Sequence, residues 1–161
     1  MEMTRLACAA AMLLTFGVTG MTAQTTKLDH WTPAQLMERA HHLRQQAAEG
    51  DGSASETLEK YPHHYTMLAF RSHSGGGELH ENYADLFYIL DGKATVVTGG
   101  ELVGRKITGA GEARGSAVNG GSKQDVKAGD VVHIPAGLPH QMIVPEGKTI
   151  TYFVVKIQEK E

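Results

Sequence analysis

Residues 129–140 read Gly-Asp-Val-Val-His-Ile-Pro-Ala-Gly-Leu-Pro-His, and this stretch decides the fold. Its first half is a β-branched run, Val131 to Ile134, which is typical of a short strand. The prolines and Gly137 that follow predict a tight corner. Such a corner sends His140 back across the sheet, so that its imidazole reaches a point that earlier strands also face.

A second informative stretch, residues 78–92, reads Glu-Leu-His-Glu-Asn-Tyr-Ala-Asp-Leu-Phe-Tyr-Ile-Leu-Asp-Gly. Side chains two residues apart in a strand point to the same face, so Glu78 and His80 share one side. Asp85 begins the next predicted strand and lies beside them. With His140, these groups form a predicted site for one divalent metal ion, because imidazole and carboxylate ligands suit iron, manganese, nickel or zinc.

The two stretches resemble the paired motifs of the cupin superfamily, in its small single-domain form. In the second motif the matching positions are Gly129, Pro135, Gly137 and His140. The first motif departs from the pattern, since Glu78 replaces the first histidine of the usual His-x-His pair and Asp85 stands where Glu is usual. The resemblance spans roughly residues 65–156. It implies a double-stranded β-helix, or jelly-roll barrel, which in metal-dependent members holds an ion with three histidines and one Glu.

The departure in the first motif bears on the chemistry. Two histidines with two carboxylates form a harder, more negative site, which favours iron, manganese or zinc over copper. Without an ion, the two carboxylates should repel each other and raise one carboxyl pKa. Glu78 has a second interpretation, as a catalytic general base or a hydrogen-bond partner of the substrate beside a three-ligand site. In a third interpretation, the same polar residues line a pocket that binds no metal.

The whole chain is predicted to be all-β with one N-terminal α-helix. The helix begins with Thr32 as its cap, Pro33 at its first position and Gln35 completing a capping box, and it ends at Gly50. Its apolar face consists of Leu36, Ala40, Leu43 and Ala47. Strands are predicted at residues 65–71, 78–82, 85–90, 94–98, 102–107, 131–134, 140–144 and 149–157.

The predicted connections are of three kinds. Residues 51–56 are polar and are expected to be a linker, Asp91-Gly92 a tight hairpin turn, and residues 108–124 a long loop at the mouth of the barrel. Lys156 ends an apolar run and is expected at the edge of the barrel, with an inward-facing position in which it binds an anion as the alternative. The histidines expected outside the site are His41, His42, His63, His64, His73 and His133.

The N-terminal segment resembles a secretory signal peptide, residues 1–23. Arg5 precedes an apolar run from Leu6 to Val18, which is shorter than the roughly 20 residues that span a membrane. We therefore expect a periplasmic or extracellular protein with no membrane anchor after cleavage. The remaining chain divides into a helix with its linker, residues 24–60, and a barrel, residues 61–161.

Composition limits the partners. The chain has 15 basic and 18 acidic residues, for a net charge of -3, which argues against a nucleic-acid partner.

The first hypothesis is a secreted cupin that binds one divalent metal and oxygenates, isomerises or decarboxylates a small organic molecule. The alternative is a non-enzymatic protein that binds a sugar or an organic acid. A homodimer is compatible with the amphipathic helix, and no feature of the sequence selects it.

Overall fold

The computed structural model describes residues 28–160. The helix and all the strands lie in the unit that begins at Trp31. The predicted signal peptide, residues 1–23, lies outside the described residues. Among residues 28–160, no helix combines the length and the apolar character needed to cross a membrane.

The predicted helix is confirmed as α1 (Pro33–Glu49). The hydroxyl of Thr32 accepts a hydrogen bond from the Gln35 backbone, and the Gln35 side chain accepts one from the Thr32 backbone. This capping box satisfies donors that have no partner inside the first turn. The four predicted apolar positions are buried, and they pack against Leu68 and Phe70 of the adjacent sheet.

Short strands make up most of the remaining chain. In the part of the chain that the structure describes they are β1 (Ser53–Lys60), β2 (His64–Arg71), β3 (Gly77–His80), β4 (Tyr83–Thr98), β5 (Glu101–Val103), β6 (Lys106–Gly109), β7 (Glu112–Gly115), β8 (Ala117–Asn119), β9 (Ser122–Lys127), β10 (Val131–Ile134), β11 (His140–Ile143) and β12 (Ile150–Gln158). The prediction of an all-β fold with one helix is confirmed.

The long strand β4 belongs to both faces of the fold. Its first half pairs antiparallel with β12 and β10, and its second half pairs with β11 and β9. On the first face the order continues from β12 to β2 and β1, and on the second from β11 to β3, β7 and β6. The result is a curled antiparallel barrel whose inner wall comes from both faces.

The inner wall is mostly apolar, because alternate residues of each strand point inward. Phe87 and Ile89 of β4 pack with Tyr152 and Val154 of β12 in one buried cluster. Further along the same two strands, Asp85 is paired in register with Lys156. The apolar pattern therefore stops at a buried polar patch, which is where the candidate site lies.

The predicted linker at residues 51–56 is wrong, because most of it belongs to β1. This strand pairs antiparallel with β2 and has no second strand beside it in the described sheet order. Ala54 and Leu58 pack toward α1, whereas the positions between them are polar. An edge strand with few apolar residues has a composition that resembles a linker.

The predicted hairpin at Asp91-Gly92 is also wrong, since β4 continues through it. Gly92 has a φ of +83°, and a Cβ at this position would overlap the carbonyl oxygen of Thr149. Glycine therefore serves here to bend one strand from the first face to the second, where Lys93 donates a backbone hydrogen bond to Thr149.

The predicted long loop at residues 108–124 is wrong as well. It contains the end of β6, then β7, β8 and the start of β9. The turn from β6 to β7 includes Gly111, with a φ of +70°, and the turn from β8 to β9 includes Gly120, with a φ of +76°. The single strand predicted at residues 102–107 is split by Gly104 into β5 and β6. Strands of three or four residues are too short for an alternating apolar pattern to identify them.

Candidate metal centre

All four predicted site residues line one cavity of about 530 Å³. Glu78 and His80 alternate along β3, so both face inward, and His140 begins β11 directly opposite Glu78 in the backbone register. Asp85 approaches from β4. The corner at residues 135–139 thus brings the distant histidine to the same point as the β3 pair.

Three of these residues place ligand atoms close together. One donor atom from each of Glu78, His80 and His140 lies within 4.8 Å of the other two. Asp85 borders this group, with its Oδ2 atom 3.3 Å from His140 Nε2 and 3.7 Å from His80 Nε2. The predicted ligand role of Asp85 stays a prediction, as do those of the other three residues.

The two imidazole rings are oriented by hydrogen bonds at their Nδ1 atoms. His80 Nδ1 is 2.7 Å from Glu112 Oε2, and His140 Nδ1 is 3.1 Å from the carbonyl oxygen of Leu138. Both partners accept hydrogen bonds, so in the neutral rings Nδ1 carries the proton and Nε2 carries a lone pair. His80 Nε2 is buried and has no hydrogen-bond partner among the described residues. This is the arrangement of a metal-binding histidine, and the donor set suits a divalent ion.

The carboxylate of Glu78 is held by two arginines. Arg71 Nη2 is 3.3 Å from Oε1, and Arg114 Nη1 is 3.2 Å from Oε2. Burial raises the pKa of Glu78, but the neighbouring His80 and the charges of Arg114 and Arg71 outweigh it and lower this pKa to about 2. Glu78 is therefore ionised at neutral pH, and so low a pKa makes it a weak general base.

Asp85 is neutralised in a similar way by Lys156, whose ammonium group contacts Oδ1. Burial raises the pKa of Asp85, while the contacts with His140 and Lys156 lower it, and the net result is a lowered pKa. The expectation that the empty site raises one carboxyl pKa is wrong, because each carboxylate has its own cation.

The predicted position of Lys156 at the barrel edge is wrong. Its side chain is 10% exposed and faces the cavity, in the same alternation as Tyr152 and Val154. Burial next to an ionised carboxylate offsets the cost of removing the ammonium group from water. The apolar run that precedes Lys156 already indicated an inward-facing strand.

The sequence did not predict three charged residues that contact Glu78 or His80 in the cavity: Arg71, Glu112 and Arg114. Arg71 could have been found, because it follows Met67 and Ala69 on the inward face of β2. The other two residues lie on β7, inside the segment predicted as a loop, where no strand register was available. The histidines predicted to lie outside the site are all exposed: His41, His42, His63, His64, His73 and His133.

Comparison with known proteins supports the fold. No family model and no curated protein matches the sequence. Among solved structures, the cupin domain of Cnp3 from Schizosaccharomyces pombe superposes with a TM-score of 0.51 and 12% identity, over 66% of this chain and 65% of that one. The chain has the cupin fold.

A second structure with this cupin architecture is the DMSP lyase DddQ from Ruegeria pomeroyi. It superposes with a TM-score of 0.50 and 15% identity, over 69% of this chain. The present chain spans 49% of the length of the lyase chain. The cupin resemblance of the two sequence motifs is thus confirmed for the fold, and the chemistry depends on the residues of this chain.

Proposed function

We propose that this chain is a metal-dependent cupin that acts on a small organic molecule in its barrel cavity. His80, His140 and Glu78 hold one divalent ion in this proposal, with Asp85 beside them. The single observation that carries it is the pair of oriented imidazoles. Each Nδ1 atom has a hydrogen-bond acceptor, and the two Nε2 atoms lie 3.7 Å and 3.3 Å from Oδ2 of Asp85. Histidines that faced solvent would not need both rings to be held by hydrogen bonds at Nδ1.

The ion in this proposal is iron, manganese or zinc, because two nitrogen ligands and a carboxylate suit these metals. When bound, such an ion polarises a substrate oxygen or activates water or oxygen. The residues of the chain position the ligands, and apolar side chains such as Phe87 and Val154 line the same cavity. The reaction class is oxygenation, isomerisation or decarboxylation, as expected from the resemblance of the motifs.

Metal content tests the proposal directly. The wild-type protein is purified without a tag, and its metals are measured by mass spectrometry beside His140→Ala and the matched control His133→Ala, which alters an exposed histidine. We expect about one equivalent of metal in the wild type and the control and a loss in His140→Ala, since each ligand contributes to affinity. A wild-type protein that takes up no iron, manganese or zinc contradicts the proposal.

The role of Glu78 needs its own variant. Glu78→Gln removes the charge and keeps the shape, so a ligand role predicts weaker metal binding. Unchanged metal affinity with lost turnover would instead assign Glu78 to proton transfer. Asp85→Asn, measured in the same series, shows whether the second carboxylate also binds the ion.

A non-enzymatic binding protein is the second candidate function. The observation that favours it is the pairing of Glu78 and Asp85 with side-chain cations, which leaves the cavity stable without an ion. Ligand binding to metal-free protein, with no turnover after metal loading, would select this candidate. Substrate turnover that depends on the added ion would select the enzyme.

We also propose that residues 1–23 direct export and are removed. The full chain and a Leu13→Arg variant, which places a charge in the apolar run, are expressed in a Gram-negative host. The mass of the periplasmic protein should match a chain that lacks the leader, and the variant should remain in the cytoplasm with its leader attached. An uncleaved wild-type chain in the cytoplasm contradicts this proposal.

A further inference from the structure

The two carboxylates nearest the candidate metal site are already neutralised. Glu78 contacts both Arg71 and Arg114, and Asp85 contacts Lys156. In a carboxylate-rich metal site the ion usually balances the negative charge of its ligands. Here side-chain cations already do so, and an added divalent ion brings a surplus of positive charge.

The remaining acidic residues do not remove this surplus. Glu112 accepts a hydrogen bond from His80 and has Arg114 Nη2 at 3.7 Å. Asp51 lies at the rim, bonded to Ser53, where solvent screens its charge. A divalent ion therefore leaves the cavity positively charged even when Asp51 is counted, and a ligand of negative charge would restore the balance.

We propose that the ligand of the metal-loaded cavity is a small organic acid, whose carboxylate binds beside the metal and against the guanidinium group of Arg114. The inference rests on the proposed metal site and adds the chemical class of the molecule that enters it.

Arg114 is placed to receive such a group. Its Nη1 atom is 3.2 Å from Glu78 Oε2, and the same oxygen is 3.4 Å from His80 Nε2, so the guanidinium lies next to the candidate ligands. The side chain is 44% exposed, and it therefore borders both the cavity and solvent. A guanidinium has five N–H donors, and among residues 28–160 the one hydrogen bond from the Arg114 side chain is the one to Glu78. The other donors match the paired oxygens of a carboxylate.

The apolar part of the cavity lining fits the carbon skeleton of the acid. Five of the lining residues pack in one apolar cluster: Met67, Phe87, Val96, Met142 and Val154. A polar head held at the ion and a short apolar body in contact with this cluster use both the polar and the apolar groups of the lining. A sugar, with hydroxyl groups on every carbon, would leave hydroxyl groups against the apolar wall without partners.

Isothermal titration with matched acids and amides tests the inference. The probes are butyrate and succinate, with butyramide and succinamide as their neutral counterparts. They are titrated into metal-loaded wild type, Arg114→Gln and the control Arg105→Gln, which alters an exposed arginine that pairs with Glu81. Metal content is measured in every sample, so that a loss of the ion is not mistaken for a loss of the anion site.

We expect at least one acid to bind the wild type, and its amide to bind about tenfold more weakly or worse, as the loss of a charged hydrogen bond implies. Arg114→Gln should lower the affinity for the acid by about the same factor and should keep its metal. Arg105→Gln should leave the affinity for the acid unchanged. Three outcomes overturn this inference and leave the proposed metal site standing. They are equal binding of acid and amide, no binding of either acid, and wild-type affinity for the acid in Arg114→Gln. A wild type that cannot be loaded with metal overturns the proposed function and the charge surplus with it.

Discussion

The two ring nitrogens of His80 have different surroundings, and this difference allows a test of whether Glu112 orients the His80 ring. Glu112 fixes Nδ1 from a strand that is remote in sequence, at 2.7 Å, and so directs Nε2 toward the site. Glu112→Ala should weaken metal binding by about 10- to 100-fold, the usual effect of removing a group that orients a ligand. The measurement is a competition titration of zinc against a fluorescent chelator.

Glu146→Ala is the matched control, since Glu146 is exposed and remote from the cavity lining. Its zinc affinity should equal that of the wild type. Glu112→Gln keeps an acceptor for Nδ1 and should fall between the wild type and the alanine variant. If Glu112→Ala binds zinc as tightly as the control, Glu112 does not position His80.

Lys156 and Asp85 form a pair in which removal of one partner leaves the other uncompensated. Lys156→Met should destabilise the fold by about 3–5 kcal/mol, because a buried carboxylate then lacks its cation. Urea unfolding measures the change, with the exposed Lys148→Met as control. The double variant Asp85→Asn/Lys156→Met should recover much of the loss. A Lys156→Met protein as stable as its control would show that the ion pair contributes nothing.

The sequence predicted that Glu78, His80, Asp85 and His140 come together, as they do in one cavity, because their spacing and types are local signals. Alternation placed Glu78 and His80 on one face, and the Pro-Gly corner returned His140 to them. The cations were harder to predict, since the strand of Arg114 is too short to show a period. The pKa values of Glu78 and Asp85 depend on those cations, and for that reason their predicted direction was wrong.

At the scale of the elements, β4 depends on a single residue for its path. Gly92→Ala puts a Cβ at a positive φ and against the carbonyl oxygen of Thr149. Gly104→Ala is the control, because its φ is +64° and no atom lies within 4 Å of the added Cβ. The control should cost about 1–2 kcal/mol for the left-handed backbone alone. Gly92→Ala should cost clearly more in urea unfolding, and equal losses would show that the contact with Thr149 relaxes freely.

Elements with strong local signals were predicted, and those without them were not. α1 has a capping box and a regular apolar face, and both are present in the structure. β1 is a polar edge strand that exists because it pairs with β2 and lies under the helix, which are contacts distant in sequence. The segment that contains β7 and β8 depends on partners elsewhere in the chain in the same way.

At the scale of the whole molecule, metal binding should appear as stability. An ion that binds only the folded chain raises the free energy of unfolding by about 2.7 kcal/mol at a free concentration 100 times its Kd. Zinc or manganese should therefore raise the unfolding midpoint of the wild type, and a chelator should reverse the change. His140→Ala should show no such rise. A rise of equal size in His140→Ala would place the ion elsewhere on the chain.

Because β4 is shared by both faces, the order of synthesis limits folding. Its partners β9 to β12 come from residues 122–158, so residues 83–98 stay without these partners until the later strands have been made, and the first face needs β12 as well. Folds with such distant pairings assemble slowly, on the order of milliseconds to seconds. Until β12 has emerged from the ribosome, β2 has β1 on one side and lacks its partner on the other, and the first half of β4 lacks β12 as well. The barrel therefore closes only once β12 is available, and until then the chain depends on whatever keeps its unpaired strands from aggregating.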